Sequence, residues 1–309
     1  MNSIQKAIKY IVDADYRFLV NAYKGKYNDM PDDEYCRKFY KVRVGKELNL
    51  DNPQTFSDKL QWLKCYYHDP EYIKMVDKYE VKQYVSERIG SEYVLPALAI
   101  WDSVEEIDIN TLPDQFVLKC THNSGAFAIC KDKSHFDIAD AKRRLGIMLK
   151  KNYYWNNREW PYKDVKPRIL AEPYLDSLGR PDSIEYKFTC ANGKLCFGTI
   201  CGGIAHVEFE KRSNDHYDEN FDIMPWYAFY KPSKNPVKEK PAHYDEMVRL
   251  AEKLSEGIPS VRVDFYVHKD HVYFGEITFY TWGGFLVFTP DEWDMKLSKY
   301  ITLPDHKML

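Results

Sequence analysis

The chain has 309 residues, of which 44% are hydrophobic and 29% charged, a composition typical of a soluble globular protein. A formal net charge of −3 argues against general binding to nucleic acid or to anionic membrane surfaces. The seven cysteines are scattered without a CxxC pair, so we expect reduced thiols in a cytoplasmic protein, and neither a disulfide framework nor a zinc site.

Residues 1–92 are predicted to form a mostly helical N-terminal region. Their first stretch lacks the apolar run of a signal peptide or a membrane span. Its apolar residues recur at helical spacing and predict an amphipathic helix docked on the protein: Ile4, Ile8, Ile11 and Val12. Further on, TFSDKLQWLKCYYHD predicts a helix capped by a Thr or Ser, and KMVDKYEVKQYVSERIG predicts a helix that ends at Gly90.

From about residue 93 the pattern changes to short apolar or alternating runs broken by turn residues, which predict strands. These runs are YVLPALAIWDS, LPDQFVLKCTHNSGAFAICKD and RILAEPYLD. The stretch DIADAKRRLGIMLKKNYY, between the second run and the third, predicts an amphipathic helix.

The last part of the chain is predicted to contain two hairpins. The first turns at Asn192-Gly193 within SIEYKFTCANGKLCFGTICGGIAHVEFE. Residues 211–241 then predict a long irregular segment, of a kind that is often functional. A helix in AHYDEMVRLAEKLSEGI leads to the second hairpin, VRVDFYVHKDHVYFGEITF. This order of elements predicts an α+β protein with antiparallel sheets.

The second hairpin places carboxylates in strands that otherwise look buried, where an unpaired charge is costly. Arg262 and Asp264 leave the same face of one strand, and Glu276 and Thr278 share a face of the next. A turn at residues 268–270 would fold Glu276 back beside Asp264. Such a face offers the hard oxygen ligands that Mg²⁺ prefers. The alternative is a structural salt bridge to Arg262.

Two further stretches carry candidate binding groups, each of low specificity by itself. Lys119 ends a predicted strand, and the loop Thr-His-Asn-Ser-Gly after it has backbone groups that could close over phosphate. Glu172 ends another strand before Pro173, where a carboxylate and backbone groups could meet an adenine or a ribose. The alternatives are a hairpin loop with an exposed lysine and a solvated glutamate.

In this order, the three features resemble the ATP-grasp superfamily, and most closely the TupA-like ATP-grasp family, named from teichuronopeptide biosynthesis. The resemblance runs from about residue 54 to about residue 304 and is carried by TFSDKLQWLK, DKYEVKQYV, LPDQFVLKCTHNSG, RILAEPYL, EYKFTCANGK, HYDEMVRLAEKLS, VRVDFY and YFGEITF. It implies an ATP-grasp fold. Two α+β subdomains, residues 93–175 and 176–309, would clamp ATP between antiparallel sheets after the helical region 1–92.

The resemblance implies a role for each matching residue. Lys119 would hold the α- and β-phosphates of ATP, under a loop made of His122, Asn123, Ser124 and Gly125. Adenine, ribose and phosphate contacts would come from Glu172, Tyr174, Leu175, Glu185 and Lys187. One or two Mg²⁺ ions would be held by Asp264, Glu276 and Thr278. Arg262 would stabilise the transferring phosphoryl group.

Two of these positions depart from the better-known members of the superfamily. Glu185 stands where an Asp is more frequent, and Thr278 stands where an Asn is a metal ligand. A neutral Thr oxygen binds a cation more weakly, so Thr278 weakens the case for a second metal ion.

The implied reaction activates a carboxylate with the γ-phosphate to give an acylphosphate, which an amine attacks to form an amide. The family name points to joining an amino acid or amine to a uronic acid or peptide carboxylate in surface-polysaccharide assembly, in peripheral association with the membrane machinery. His122 or His206 is a candidate base. Residues 204–230 and 281–285 are expected to form the acceptor pocket through His206, Tyr217, Trp226, Tyr227, Trp282 and Gly283.

Three other functions stay open from the sequence. An ATP-dependent phosphotransferase on a sugar or a carboxylate would need no amine. A glycosyltransferase would need a DxD site, but the DAD at residues 13–15 lies in a predicted helix. A nucleotide-dependent scaffold with degenerate chemistry would have no need to keep Lys119, Arg262, Asp264 and Glu276 intact.

Overall fold

The computed structural model describes residues 2–125, 127–176, 183–202, 208 and 211–309. The N-terminal region is helical, as predicted: α1 (Ser3–Val12), α2 (Ala14–Tyr23), α3 (Asp32–Val44), α4 (Phe56–Tyr66), α5 (Glu71–Val76) and α6 (Val81–Ile89). Helix α4 begins at Phe56 because Thr55 and Asp58 form a capping box. The stretch predicted as one helix before Gly90 is two helices, because the chain leaves the helical conformation at Asp77.

Helix α1 differs from the expectation that its apolar face is docked. Ile4, Ile8, Ile11 and Val12 are all more than half exposed, at 71, 55, 71 and 75%. The helix packs against α2, where the Tyr10 hydroxyl donates to Asn21 Oδ1 at 2.8 Å. None of the described helices combines the length and the apolar composition that a membrane span requires.

The first sheet is antiparallel, with the strand order β1-β4-β2-β3. Its strands are β1 (Ala99–Trp101), β2 (Phe116–Cys120), β3 (Phe127–Cys130) and β4 (Ile169–Pro173). Helix α7 (Ile138–Leu149), capped by Asp137, packs on β2 and β3 and forms a separate small core with them. Because Phe116 and Leu118 point into that core, Lys119 leaves the opposite face of β2.

The second sheet is also antiparallel, with the order β11-β10-β5-β6-β7-β8. Its strands are β5 (Ile184–Ala191), β6 (Lys194–Gly202), β7 (Ser213–Tyr217), β8 (Ile223–Met224), β10 (Val261–His268) and β11 (His271–Thr278). Nearby, β9 (Tyr227–Ala228) pairs with β12 (Phe288–Thr289). The segment 211–241, predicted to be irregular, therefore adds strands to this sheet.

One face of the second sheet is covered, and the other carries the polar residues. Helix α9 (Tyr244–Leu254) packs on β5, β6 and β10 over a core that includes Phe188 and Val263. The remaining helices are α8 (Tyr154–Asn157) and α10 (Glu292–Leu297). The hairpin turns lie at Asn192-Gly193, as predicted, and at Lys269-Asp270, all with positive φ, which suits the twist of the strands.

Candidate active site

The polar residues of the last hairpin lie together, as the sequence predicts. Asp264 pairs with Glu276 across the β10–β11 ladder, and Arg262 pairs with Thr278, so the four side chains share one face. The register shifts after Asp264, because Gly275 forms a bulge. A Cβ on Gly275 would lie 3.1 Å from the Asp264 carbonyl oxygen, so a larger residue would disturb the alignment of the two carboxylates.

Arg262 joins the two carboxylates. Its Nε donates to Asp264 Oδ1 at 2.6 Å, and its Nη2 donates to Asp264 Oδ2 at 2.8 Å and to Glu276 Oε1 at 3.0 Å. On β5, Lys187 donates to Asp264 and to Glu185, each at 2.7 Å. Burial raises the pKa of Asp264, but the two cations outweigh it and hold the pKa below its usual range. These ion pairs join three carboxylates to two cations: Glu185, Asp264 and Glu276 to Lys187 and Arg262.

This set of donors fits Mg²⁺. Asp264, Glu276 and Thr278 offer oxygen atoms alone, and the Glu276 side chain is 43% exposed. No group of three or more His, Cys, Asp or Glu residues forms a complete metal cage within the described ranges, so phosphate and water would complete the shell. Since Asp264 accepts three hydrogen bonds from Arg262 and Lys187, a cation would share that carboxylate with them.

A second charged cluster lies on the first sheet. Glu172, 5% exposed, forms ion pairs with Lys119 and, at 2.5 Å, with Lys82 of α6. Burial raises the pKa of Glu172, but the two lysines reverse this and keep the carboxylate charged. Beyond Glu172, the ammonium of Lys131 lies 5.5 Å from the centre of the Tyr174 ring, and Leu175 is buried.

The loop after β2 is divided between surface and interior. Ser124 and Gly125 are exposed, and Gly125 has a φ of 81° with no atom of the described residues within 4 Å of its missing Cβ. His122 and Asn123 are 2 and 1% exposed. His122 Nε2 lies 3.1 Å from the Lys151 carbonyl oxygen, and burial lowers the pKa of His122. The side chains of His122 and Asn123 thus support the loop from inside.

Lys78 is a site residue that the sequence motifs did not reveal. It lies between α5 and α6, and its Nζ donates to the Asn123 carbonyl oxygen at 2.7 Å. Burial lowers the pKa of Lys78, on which the charges of Glu276, Lys119 and Glu172 also act. Lys78 is therefore hydrogen-bonded to the loop, and the charges of both clusters influence it. The stretch DKYEVKQYV contains it, but a lysine between two helices looks in sequence like any solvated lysine.

A cavity of about 450 Å³ adjoins the Arg262 cluster. The second sheet lines it with Glu185, Lys187, Thr189, Thr199, Arg262, Glu276 and Thr278, and other elements add Ser124, Tyr153, Glu159 and Tyr162. Of the predicted acceptor residues, the lining includes Trp226, Trp282 and Gly283. It does not include Tyr217 or Tyr227 among the described residues, and Tyr217 is fully buried against Phe221. His206 lies outside the described residues.

One part of the cavity wall carries polar atoms without partners. His216 stacks on Trp226 with ring centroids 3.7 Å apart, and its Nδ1 lies 2.9 Å from Thr199 Oγ1. Burial lowers the pKa of His216 to about 3, so its ring is neutral. Three buried atoms here have no hydrogen-bond partner within the described part of the chain: His216 Nε2, Trp226 Nε1 and Asn214 Oδ1. This wall suits a ligand with hydroxyl or amide groups.

A family model described as TupA-like ATPgrasp matches residues 58–302. The chain belongs to the TupA-like ATPgrasp family. This confirms the resemblance and the ATP-grasp fold class predicted from the sequence. The match covers both sheets and all the residues of the two charged clusters described above.

Solved structures of ligases resemble this TupA-like chain distantly. D-cycloserine synthetase is 13% identical over 74% of this chain and 69% of its own, with a TM-score of 0.42. D-alanine–D-alanine ligase from Helicobacter pylori is 16% identical over 74% and 60%, with a TM-score of 0.40. The ADP complex of N5-carboxyaminoimidazole ribonucleotide synthetase is 14% identical over 71% and 49%, with a TM-score of 0.39. A search of curated proteins returned no significant match.

Proposed function

We propose that the protein is an ATP- and Mg²⁺-dependent ligase that joins a carboxylate to an amine through an acylphosphate. The observation that carries this proposal is that Lys187, Arg262 and Glu276 line a cavity, with Asp264 bound to Lys187 and Arg262, in a chain of an ATP-grasp family. Cations and carboxylates concentrated beside a ligand-sized space are suited to hold phosphate, a metal ion and a substrate together.

We place ATP between the two charged clusters. Lys119 and Lys78 would bind its phosphates beneath the Ser124–Gly125 loop, and Glu172, Tyr174 and Leu175 would border the adenine. Glu185 and Lys187 would contact the ribose or the phosphates. Mg²⁺ held by Asp264, Glu276 and Thr278 would neutralise the phosphates and orient the γ-phosphoryl group. The two subdomains of this clamp would be residues 93–175 and 176–309.

The cavity beside Arg262 is the proposed site of the acceptor. A volume of about 450 Å³ is within the range of small-molecule sites. Trp226 and Trp282 offer aromatic surface, and His216 and Asn214 offer free polar atoms, a combination that suits a sugar acid. We propose that the enzyme attaches an amino acid or amine to a uronic acid or a peptide carboxylate in surface-polysaccharide biosynthesis. It would act in the cytoplasm, peripherally associated with the membrane assembly machinery.

The test is ADP release from ATP and Mg²⁺ with a panel of uronic acids and peptides, each alone and with a panel of amino acids. We expect release that depends on both partners, and one amide per ADP by mass spectrometry. A phosphorylated acceptor formed without any amine would identify a phosphotransferase instead. No ADP release with any pair, from a protein that is folded, would contradict the ligase proposal.

A further inference from the structure

Glu159 is a buried carboxylate without a role in the reaction proposed above. It precedes the short helical turn Trp160–Tyr162, is 4% exposed, and lines the same cavity as Arg262 and Glu276. It forms no ion pair with a described residue. Its hydrogen bond from Asn157 Nδ2, at 3.5 Å, is a long one. A buried carboxylate held so weakly is costly to keep charged unless a ligand pairs with it.

The cations around Glu159 are engaged elsewhere. Lys64 of α4 is 1% exposed, and its Nζ donates to the carbonyl oxygens of Asn157 and Gly283 at 2.9 and 2.6 Å. Arg262 is bound to its own two carboxylates. The side of Glu159 that faces the cavity is therefore open to a cation from the substrate.

Burial and the surrounding charges make the Glu159 carboxylate weakly basic. Burial raises the pKa of Glu159 to about 7, and the charge of Glu276 adds to the rise, while Lys64, Asn157 and Arg262 oppose it. Burial raises the pKa values of two tyrosines that line the cavity, Tyr153 and Tyr162, and the charge of Glu159 adds to the rise, so both stay neutral. A carboxylate with this pKa is matched to proton transfer near neutral pH.

We propose that Glu159 binds the protonated amine substrate and accepts a proton from it. This inference rests on the proposed ligase function and deepens it, because it assigns the second substrate class, a primary or secondary ammonium, to a defined place. Two histidines were considered as a base from the sequence. His122 is directed into the interior, and His206 lies outside the described residues.

The proton balance of the step is complete. The ammonium gives one proton to the Glu159 carboxylate and becomes a neutral amine. The nitrogen lone pair then forms a bond to the acylphosphate carbon, and the carbon–oxygen bond to phosphate breaks with its electron pair. The second proton of the nitrogen goes to the departing phosphate, which leaves as hydrogen phosphate. Glu159 finally releases its proton to solvent.

The test separates formation of the acylphosphate from attack by the amine. Hydroxylamine is largely unprotonated at neutral pH, so it can trap an acylphosphate as a hydroxamate without a base. We expect Glu159→Gln to lower the rate of amide formation at least ~100-fold, the usual scale for loss of a general base. Hydroxamate formation should change less than ~3-fold, since a base contributes little to that reaction. Glu239→Gln makes the same chemical change on the surface and should alter neither rate.

The pH profile gives an independent readout. In the wild type, amide formation should rise as the pH rises through about 7, because only the carboxylate form of Glu159 accepts a proton. Glu159→Asp keeps a carboxylate and should retain this pH dependence at a reduced rate, which keeps the inference testable if the Gln variant does not fold.

Four results would overturn the inference. Equal loss of hydroxamate and amide in Glu159→Gln would mean that Glu159 only balances the buried charge of Lys64. An unchanged rate of amide formation would remove Glu159 from the reaction. If the wild type formed hydroxamate but no amide with any amine, the activation step of the proposed function would stand, and the amine site would not. If it formed neither, both proposals would fail.

Discussion

Asp264 lies in a sheet that buries most of its other side chains, and it remains charged because Arg262 and Lys187 hold it. Replacing either cation with a neutral residue would leave the buried charge of Asp264 only partly compensated by the other cation, which is costly. Glu276 is different, because it is 43% exposed and accepts one hydrogen bond from Arg262 Nη2 at 3.0 Å and a long one from Thr278 Oγ1 at 3.5 Å. Substitution of Asp264 therefore tests whether the charged cluster assembles, whereas substitution of Glu276 tests the role of the cluster in the proposed reaction.

The first prediction concerns Glu276. Glu276→Gln keeps the volume of the side chain but removes its charge, so we expect turnover to fall at least ~100-fold while the fold is kept. ADP release and circular dichroism measure the two effects. Glu292→Gln, at an exposed position of α10, is the matched control. Turnover of Glu276→Gln equal to that of the control would move the site of chemistry elsewhere.

Lys78 provides the second prediction. Lys78→Met removes the hydrogen bond to the Asn123 carbonyl oxygen and one positive charge beside the proposed phosphate site, so we expect KM for ATP to rise roughly 10-fold, as for loss of a charged hydrogen bond. The control is Lys74→Met on the exposed side of α5. Steady-state rates at a series of ATP concentrations give KM for ATP in both variants. Equal KM values in the two variants would show that Lys78 only supports the chain.

Among the elements, β6 and α9 are in unusually close contact. Gly198 of β6 lies under Tyr244 of α9, and a Cβ at Gly198 would come within 1.9 Å of the Tyr244 hydroxyl oxygen. Tyr244 is 2% exposed and cannot move aside easily. The glycine thus allows α9 to cover the sheet whose other face carries the site.

The third prediction tests this contact. Gly198→Ala should lower the free energy of unfolding by about 1–3 kcal/mol, the usual cost of overpacking a core. The control is Gly146→Ala on α7, where the new Cβ would lie 3.6 Å from the Val104 side chain, an ordinary contact. Because Ala is a better helix former than Gly, this variant should keep or slightly raise the free energy of unfolding. Urea denaturation measures both. Equal midpoints would show that α9 and β6 are more loosely packed than the contact between Gly198 and Tyr244 implies.

The elements that the sequence predicted correctly are those with local signals. The capping box before Phe56 and the turn Asn192-Gly193 need only their own neighbours to form. By contrast, β7 has the polar sequence SNDHY, and it is a strand because β6 pairs with it. The exposed apolar face of α1 was also missed, since periodicity predicts a face but not what covers it.

The candidate site shows the same limit. Arg262, Asp264 and Glu276 could be predicted to lie together because a hairpin brings them together. Lys78 and Glu159 could not, since each lies in an irregular stretch without periodicity and reaches the cavity or the loop through tertiary packing alone. Likewise, the sequence could not show that His122 is directed inward.

At the scale of the whole molecule, the two sheets meet at the cavity, since Ser124, in the loop after β2, lines it together with Lys187 and Arg262 of the second sheet. Burial raises the pKa of Tyr266 on β10, and the charges of Glu172 on the first sheet and Glu185 on the second add to the rise. Lys78 is influenced by both clusters in the same way. A nucleotide with Mg²⁺ that contacts both clusters would therefore hold the sheets together, and it would stabilise the folded protein by linkage.

The most direct test of the ATP-grasp assignment is calorimetric titration of a non-hydrolysable ATP analogue, with and without Mg²⁺, on the wild type and on Asp264→Asn. We predict tight binding to the wild type with Mg²⁺, and affinity at least ~10-fold weaker when either the metal ion or the Asp264 charge is removed. Circular dichroism on the variant verifies that it is folded. No binding in any combination, or binding indifferent to both Mg²⁺ and Asp264, would contradict the nucleotide site. The carboxylates of the hairpin would then be parts of a structural salt bridge.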